Sequence, residues 1–293
     1  MNLSSTIRNT TFLAVLTVIG VGAIVATAMM QYHAIIDYRM LGEAKVLVSD
    51  IQADILTLRR NEKDFLTQKD TVYRQRFEQN HELTLANVSE LRATLRHHGA
   101  DEQKIEELTQ VLTDYRERFF AIVALQEQIG LHHEDGLYGT FREAIHEVEE
   151  ILGALRQYQL MKDMLMLRRQ EKDFMLRKDV KYLDKFSQDL KLMRADLSRA
   201  YLGHRARRVI ASALTTYERD FKALAAASEQ IGFNSHEGLH GQMRHRIQQG
   251  EDILGELRQE VLSLENKAGS HMINQLIISA VVLTIMVGTL IRL

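Results

Sequence analysis

Apolar residues recur every three to four positions through most of the chain, and this spacing predicts helices. Ile51, Ile55, Leu58 and Phe65, for example, fall on one face of a helix with about 3.6 residues per turn. No sustained alternation of apolar and polar residues, which would indicate strands, occurs along the sequence. The pattern therefore predicts an all-α protein.

Two apolar runs without charged residues interrupt this amphipathic pattern. The first extends from Asn9 to Tyr32 and the second from Met272 to Ile291. Each is long enough to cross a hydrocarbon core of ~30 Å, which takes about 20 residues. We predict transmembrane helices over 10–32 and 272–291. A signal peptide is the alternative for the first run, although its apolar stretch is longer than such peptides need.

The charges beside these runs predict their orientation. Arg8 precedes the first run and Arg292 follows the second. Because loops in the cytoplasm carry an excess of basic residues, both chain ends, 1–9 and 292–293, are expected there. The intervening region, 33–271, is then expected on the outer side of the membrane.

The region between the spans contains an internal repeat. The charged string Leu58–Leu66 returns as Leu167–Met175, an offset of 109, and the match continues through Lys69-Asp70 and Lys178-Asp179. A second pattern, Gln-Ile-Gly followed by Gly-Leu-x-Gly, occupies 128–139 and recurs at 230–241, an offset of 102. The second copy is therefore shorter by seven residues, which is two helical turns and preserves the core-facing side of a helix.

Glycine-containing turns and helix lengths predict the arrangement of the helices. A helix over 33–97 would be roughly 95 Å long, about twice its return helix over 101–131. A further turn near Tyr158–Lys162 balances these lengths. We therefore predict two stacked four-helix bundles built from six helices, with the two long helices running through both. The predicted helices cover 33–97, 101–131, 136–157, 160–201, 204–232, and 237 into the second span. The distal module is about 70–178, and the proximal module is about 33–69 plus 179–271.

Composition restricts the function classes. The 293 residues include no proline and no cysteine, so long helices are favoured, and disulfides, thiolate metal sites and cysteine nucleophiles are excluded. The net charge of −2 provides no basic field for nucleic acid. No catalytic triad, phosphate loop or cofactor motif is present, which predicts a protein that is not an enzyme and holds no cofactor or metal. His236 and His240 have a spacing that could share a metal, but they are more simply polar residues of a solvated turn.

The repeated string places a glutamate on the apolar face of each helix. Glu62 and Glu171 fall on the same side as the buried leucines, and an inward carboxylate is costly unless it is paired. One interpretation is a structural network in which these glutamates pair across helices with arginines and fix the register where the bundles join. The alternative is that the arginines bind the carboxylate of a ligand through bidentate hydrogen bonds. The candidate ligand-binding residues are Arg59, Arg60, Arg168 and Arg169, followed by Arg142 and Arg244 after the glycine turns.

The two flanking spans, the doubled Leu-Arg-Arg-x-Glu-Lys-Asp-Phe string and the doubled Gly-Leu-x-Gly turn resemble the helical bimodular sensor domains. These domains precede the signalling parts of bacterial methyl-accepting chemotaxis receptors and of some sensor histidine kinases. The resemblance extends over roughly residues 10 to 293. It implies an inner-membrane protein whose residues 33–271 are periplasmic, form a homodimer and bind a small molecule, typically an organic acid.

The resemblance also implies a cytoplasmic signalling domain that follows the second span and acts on a chemotaxis kinase complex. No methylation helices, receptor hairpin tip or kinase motifs occur in 1–293. We therefore expect the sensor region of a transmembrane chemoreceptor that binds an organic acid anion and transmits a conformational signal. The alternative is the input domain of a sensor histidine kinase, which could dock a periplasmic binding protein.

Overall fold

The computed structural model describes the backbone of residues 3–96 and 98–292 and the side chains of 14, 15, 17–96 and 98–289. Within these residues the protein is entirely helical, as the apolar spacing predicts. Eight helices follow one another: α1 (Leu3–Gln68), α2 (Thr71–Leu95), α3 (Glu102–Ile129), α4 (Gly136–Ala154), α5 (Tyr158–Arg177), α6 (Lys181–Arg199), α7 (His204–Ile231) and α8 (Gly238–Arg292).

The prediction of unbroken helices over 33–97 and 160–201 is wrong, and so is the predicted number of six helices. The first is broken between α1 and α2, and the second between α5 and α6. Each segment folds into a hairpin. Asn87 of α2 donates a 2.7 Å hydrogen bond to Asp54 of α1, and Gln170 of α5 donates a 2.9 Å bond to Asp189 of α6. The predicted turn near 158 exists, but it lies earlier, between α4 and α5.

The two unexpected breaks have the same physical cause. Lys69 and Lys178 adopt left-handed backbone conformations, with φ of 56° and 51°, and so end α1 and α5. The following aspartates begin the next helices. The Asp70 carboxylate accepts a hydrogen bond from the backbone N–H of Val72, and Asp179 accepts one from Lys181. Since the side chain of aspartate favours helix starts, the repeated Lys-Asp pair is a stop-and-start signal.

The chain divides into two compact units. The first comprises 1–56, 82–110 and 250–293, and the second comprises 57–81 and 111–249. The predicted modules, about 70–178 and 33–69 plus 179–271, group the chain differently. In the first unit, parts of α1, α2, α3 and α8 share an apolar core. Its best-buried members include Val48, Ile51, Leu91, Leu108 and Leu257.

In the second unit, α4 to α7 form a closed set of helices. α4 contacts α5 and α7, and α6 contacts α5 and α7, around a core that includes Leu167, Leu190 and Leu214. The end of α1, the middle of α3 and the start of α8 lie together in the same unit. His240 lies 3.7 Å from Glu62, and Arg246 lies 3.3 Å from Asp114.

The helices that pack together are not those that belong to the same copy of the sequence repeat; the two groupings differ by one helix. In the repeat, α1 to α3 correspond to α5 to α7, and the glycine turn after each set leads into α4 or α8. However, α4 packs against α5 and α7 of the second copy, whereas α8 forms its ion pairs with α1 and α3 of the first copy. The fourth helix of each copy therefore completes the packing of the other copy.

α1 and α8 are each long and apolar enough to cross a membrane. Only 11% of the most apolar window in each helix is buried, so these segments do not resemble core helices of a soluble protein. Exposed apolar side chains include Val18 at 72%, Ile19 at 66% and Ile285 at 61%. The side chains of Arg8 and Arg292, on which the predicted orientation rests, lie outside the described residues.

Candidate functional site

The inward-facing glutamates of the repeated string are each bound by a tyrosine. Glu171 is 5% exposed, and the hydroxyl of Tyr217 donates a 2.7 Å hydrogen bond to its Oε2. Glu62 is mostly buried, and the hydroxyl of Tyr115 donates to it in the same way. The inward orientation agrees with the periodicity. The sequence analysis predicts arginines as partners and does not identify the two tyrosines, which recur in α3 and α7 with the offset of the second repeat.

Burial raises the pKa of both glutamates above the ordinary value of 4.5. The tyrosine hydrogen bonds and the charges of Arg59 and Arg168 oppose this shift without cancelling it. Burial, followed by the nearby Glu171, raises the pKa of Tyr217 well above 10.0. The pairs therefore consist of a neutral hydroxyl and a carboxyl group whose ionised form is disfavoured by its surroundings.

We expect these carboxyl groups to make stability fall as the pH rises. A folded-state pKa above the unfolded value means that the folded protein binds the proton more tightly. The resulting stabilisation is complete below pH 4.5 and is lost as the pH rises through the raised pKa. In the double variant Glu62→Gln/Glu171→Gln this contribution should be absent, since each amide oxygen still accepts the tyrosine hydroxyl. Thermal unfolding of the detergent-solubilised wild-type and variant chains between pH 4 and 8 measures this pH-dependent contribution to stability.

Glu90 provides the matched control for that experiment. It is an exposed glutamate in α2, so Glu90→Gln should retain the pH profile of the wild-type protein. A double variant whose profile parallels that of the wild type would contradict the raised pKa values.

The two copies of the repeat contain corresponding groups of buried aromatic rings in the core that each glutamate faces. In the first copy, Phe77 stacks on Phe119 with ring centroids 4.2 Å apart, and Phe65 meets Phe119 edge-on at 5.6 Å. The second copy repeats this contact between Phe186 and Phe221 at 4.6 Å. The phenylalanine of the repeated string, Phe65 or Phe174, is thus a core residue. The string is in the main a packing motif.

The arginines of the string differ in their burial and in their contacts. Arg168 is half-buried and donates a 2.7 Å hydrogen bond to Glu149 of α4. Arg169 is exposed and lies 3.9 Å from Asp173. Arg59 and Arg60 are exposed on α1. Arg168 and Arg169 line an open groove of about 880 Å³, and a role for any of the four in ligand binding stays a prediction.

The arginines after the glycine turns have different surroundings. Arg142 lines an open groove of about 800 Å³ beside Asp220. That aspartate is already bound by Arg219 at 2.6 Å and by the hydroxyl of Thr140 at 2.7 Å. Arg244 is exposed, and its guanidinium donates a 3.1 Å hydrogen bond to the Ser235 hydroxyl. Their role as anion anchors also stays a prediction.

The repeated glycines build two turns of the same shape. Gly130 and Gly232 have φ of 119° and 107°, which favours glycine. Gly139 and Gly241 have no room for a side chain, because a Cβ there would lie closer than 3.0 Å to the backbone of Glu134 or His236. The Gly-Leu-x-Gly pattern is therefore required by close backbone packing at the starts of α4 and α8.

The two glycine turns border a cavity of about 510 Å³, which we call the joint cavity. It lies entirely within the second compact unit, and segments of six helices and both turns contribute to it. Lys69 and Lys178, the residues that end α1 and α5, both line it. The remaining lining residues are Leu66, Gln126, Ile129, Gly130, Leu131, His132, His133, Tyr138, Met175, Leu224, Ser228, Ile231, Gly232, Phe233 and His240.

Sequence reasoning did not identify this cavity. The available signal is the recurrence of Lys69-Asp70 as Lys178-Asp179, although the helices predicted over 33–97 and 160–201 continue through both pairs. Comparison with known proteins adds no assignment, because no protein-family model and no curated protein matches this chain.

Proposed function

We propose that the chain is the sensory region of a bacterial transmembrane receptor of the chemoreceptor kind, in which 33–271 bind a small organic anion outside the cytoplasm. The observation that carries the proposal is the continuity of α8. This helix extends without a break from Gly238, at the second glycine turn, through the second apolar segment to Arg292. The turn is therefore connected to the second apolar segment by one continuous helix.

Contacts between α1 and α8 support a paired membrane anchor. The side chain of Met286 lies over Gly20, where a Cβ would meet its Cε at 2.8 Å. Farther along the pair, Lys45 forms a 3.1 Å ion pair with Glu265. The two helices are therefore antiparallel neighbours both in their apolar segments and beyond them, as expected of two spans that enclose an external region.

Signalling requires that the ligand bind one packing of the helices more tightly than another. A small shift of one helix relative to its neighbour is one of the transitions that can carry such a signal. We assign this role to α8 relative to α1. The two-bundle architecture, homodimerisation and a downstream kinase complex belong to the same proposal.

Labelling of introduced cysteines tests the placement in the membrane. The chain has no cysteine, so each variant carries one reactive thiol. Tyr201 is 99% exposed at the α6–α7 connection, and Tyr201→Cys should react with a membrane-impermeant maleimide in intact cells. Ser5→Cys should react only after lysis. The reverse pattern, or recovery of the chain in the soluble fraction, would contradict the proposal.

A further inference from the structure

We propose that the joint cavity binds a small organic carboxylate with an apolar body, held between the ammonium groups of Lys69 and Lys178. This inference rests on the proposed function and gives its ligand a location. It differs from the arginine-based sites that the sequence suggests, since neither lysine belongs to them.

The charges around the joint cavity favour an anion. Its lining contains two lysines and three histidines but no aspartate or glutamate. Two glutamates that do not line the cavity lie next to histidines that do. Glu134 lies 3.2 Å from His133, and Glu62 lies 3.7 Å from His240. Neither glutamate forms an ion pair with Lys69 or Lys178.

The two lysines lack acidic partners in the described part of the chain. Neither takes part in an ion pair there, whereas the neighbouring Lys181 is paired with Asp179 at 2.6 Å. Burial lowers the pKa of Lys69, and burial together with the charge of Lys69 lowers the pKa of Lys178. Both lysines line the same cavity, and the positive charge of Lys69 disfavours a second charge on Lys178. A bound carboxylate would relieve that repulsion and replace lost hydration with hydrogen bonds.

The backbone places both lysines at the cavity for the same reason. Each ends its helix in a left-handed conformation, with φ of 56° for Lys69 and 51° for Lys178. This conformation is uncommon for a residue with a side chain, because glycine adopts it at lower cost. The repeat therefore retains a lysine at two positions where the backbone alone would favour glycine. Both lysines thus line the cavity from equivalent backbone positions in the two copies of the repeat.

The rest of the lining determines the kind of carboxylate. Leu66, Ile129, Met175, Ile231 and Phe233 supply apolar surface. Ligand sites typically combine such a surface with a few polar groups, in cavities of about 300–1,000 Å³. The 510 Å³ of the joint cavity suits a carboxylate attached to a small ring or a short alkyl chain. A fully hydrophilic dianion would leave the apolar surface without a partner.

Benzoate is a suitable probe, and its neutral isostere benzamide tests the need for charge. Isothermal titration calorimetry on the full chain in a non-ionic detergent should show benzoate binding and no binding of benzamide or benzylamine. In Lys69→Gln/Lys178→Gln the affinity for benzoate should fall at least tenfold. The control is Lys63→Gln/Lys172→Gln, which removes the same charge from exposed positions of the same two helices and should retain the affinity of the wild type.

A second measurement uses the wild-type chain only and does not depend on folding of the variants. Limited acetylation followed by mass spectrometry should show that benzoate protects Lys69 and Lys178 but leaves Lys63 and Lys172 reactive. Equal benzoate affinity in all three proteins, or no protection, would overturn this site and leave the proposed function standing. Binding of benzylamine in place of benzoate would overturn the site and the choice of an anion. The cysteine labelling decides the membrane placement independently of both.

Discussion

Phe119→Ala is expected to lower the free energy of unfolding by about 3–5 kcal/mol, as large-to-small changes at buried phenylalanines do. Phe119 is fully buried and contacts Phe65 and Phe77. The next residue, Phe120, is only half-buried, and the guanidinium groups of Arg74 and Arg116 lie over its ring at 5.1 and 4.5 Å. Phe120→Ala should therefore cost much less.

Equilibrium unfolding in urea, followed by circular dichroism in a non-ionic detergent, measures both variants. The second copy supplies an internal replicate, because Phe221 is buried and the following Lys222 is exposed. Phe221→Ala should be severe and Lys222→Ala mild. Similar losses from both members of either pair would show that α3 or α7 presents a different face to its neighbours.

Gly241→Ala is expected to destabilise the protein by about 1–3 kcal/mol, the usual cost of forcing extra atoms into packed structure. Its new Cβ would lie against the backbone of His236, which has no freedom to move aside. Gly255, in the same helix, has no atom within 4 Å of the corresponding position. Gly255→Ala should raise stability by about 0.5–1 kcal/mol through the better helix propensity of alanine.

The two variants carry the same substitution in the same helix, but their expected changes in stability have opposite signs. This contrast separates the effect of the turn from that of helix propensity. Thermal unfolding of the two variants against the wild type provides the comparison. The first copy offers a parallel pair: Gly139 is as confined as Gly241, whereas a Cβ at Gly153 makes only an ordinary contact with Met161. A stabilising effect of Gly139→Ala or Gly241→Ala would contradict the turn geometry.

Two features of the candidate site could be predicted from the sequence, the inward-facing glutamates and the glycine turns, because both depend on local patterns. The inward direction of Glu62 and Glu171 follows from their spacing to apolar neighbours in the same helix. The glycine turns follow from residues whose backbone freedom is distinctive. Both features involve residues within a few turns of each other, where helix geometry alone determines position.

The breaks after α1 and α5 could not be predicted in this way. Lysine and aspartate are ordinary in exposed helices, and the left-handed lysine is selected by tertiary structure rather than by propensity. The Tyr115–Glu62 contact joins residues 53 positions apart. The joint cavity requires even more distant segments to meet. Such features depend on how helices pack, and helix spacing does not determine that.

The one-helix offset between repeat and packing has a consequence for the route of the chain. Because α4 to α7 are consecutive and pack together, they amount to an insertion between α3 and α8. The chain enters this insertion through the first glycine turn and leaves through the second. Those two turns are its covalent attachments, and both border the joint cavity. A ligand there would act on the entrance and the exit of the insertion together, and the exit is the start of the helix that contains the second apolar segment.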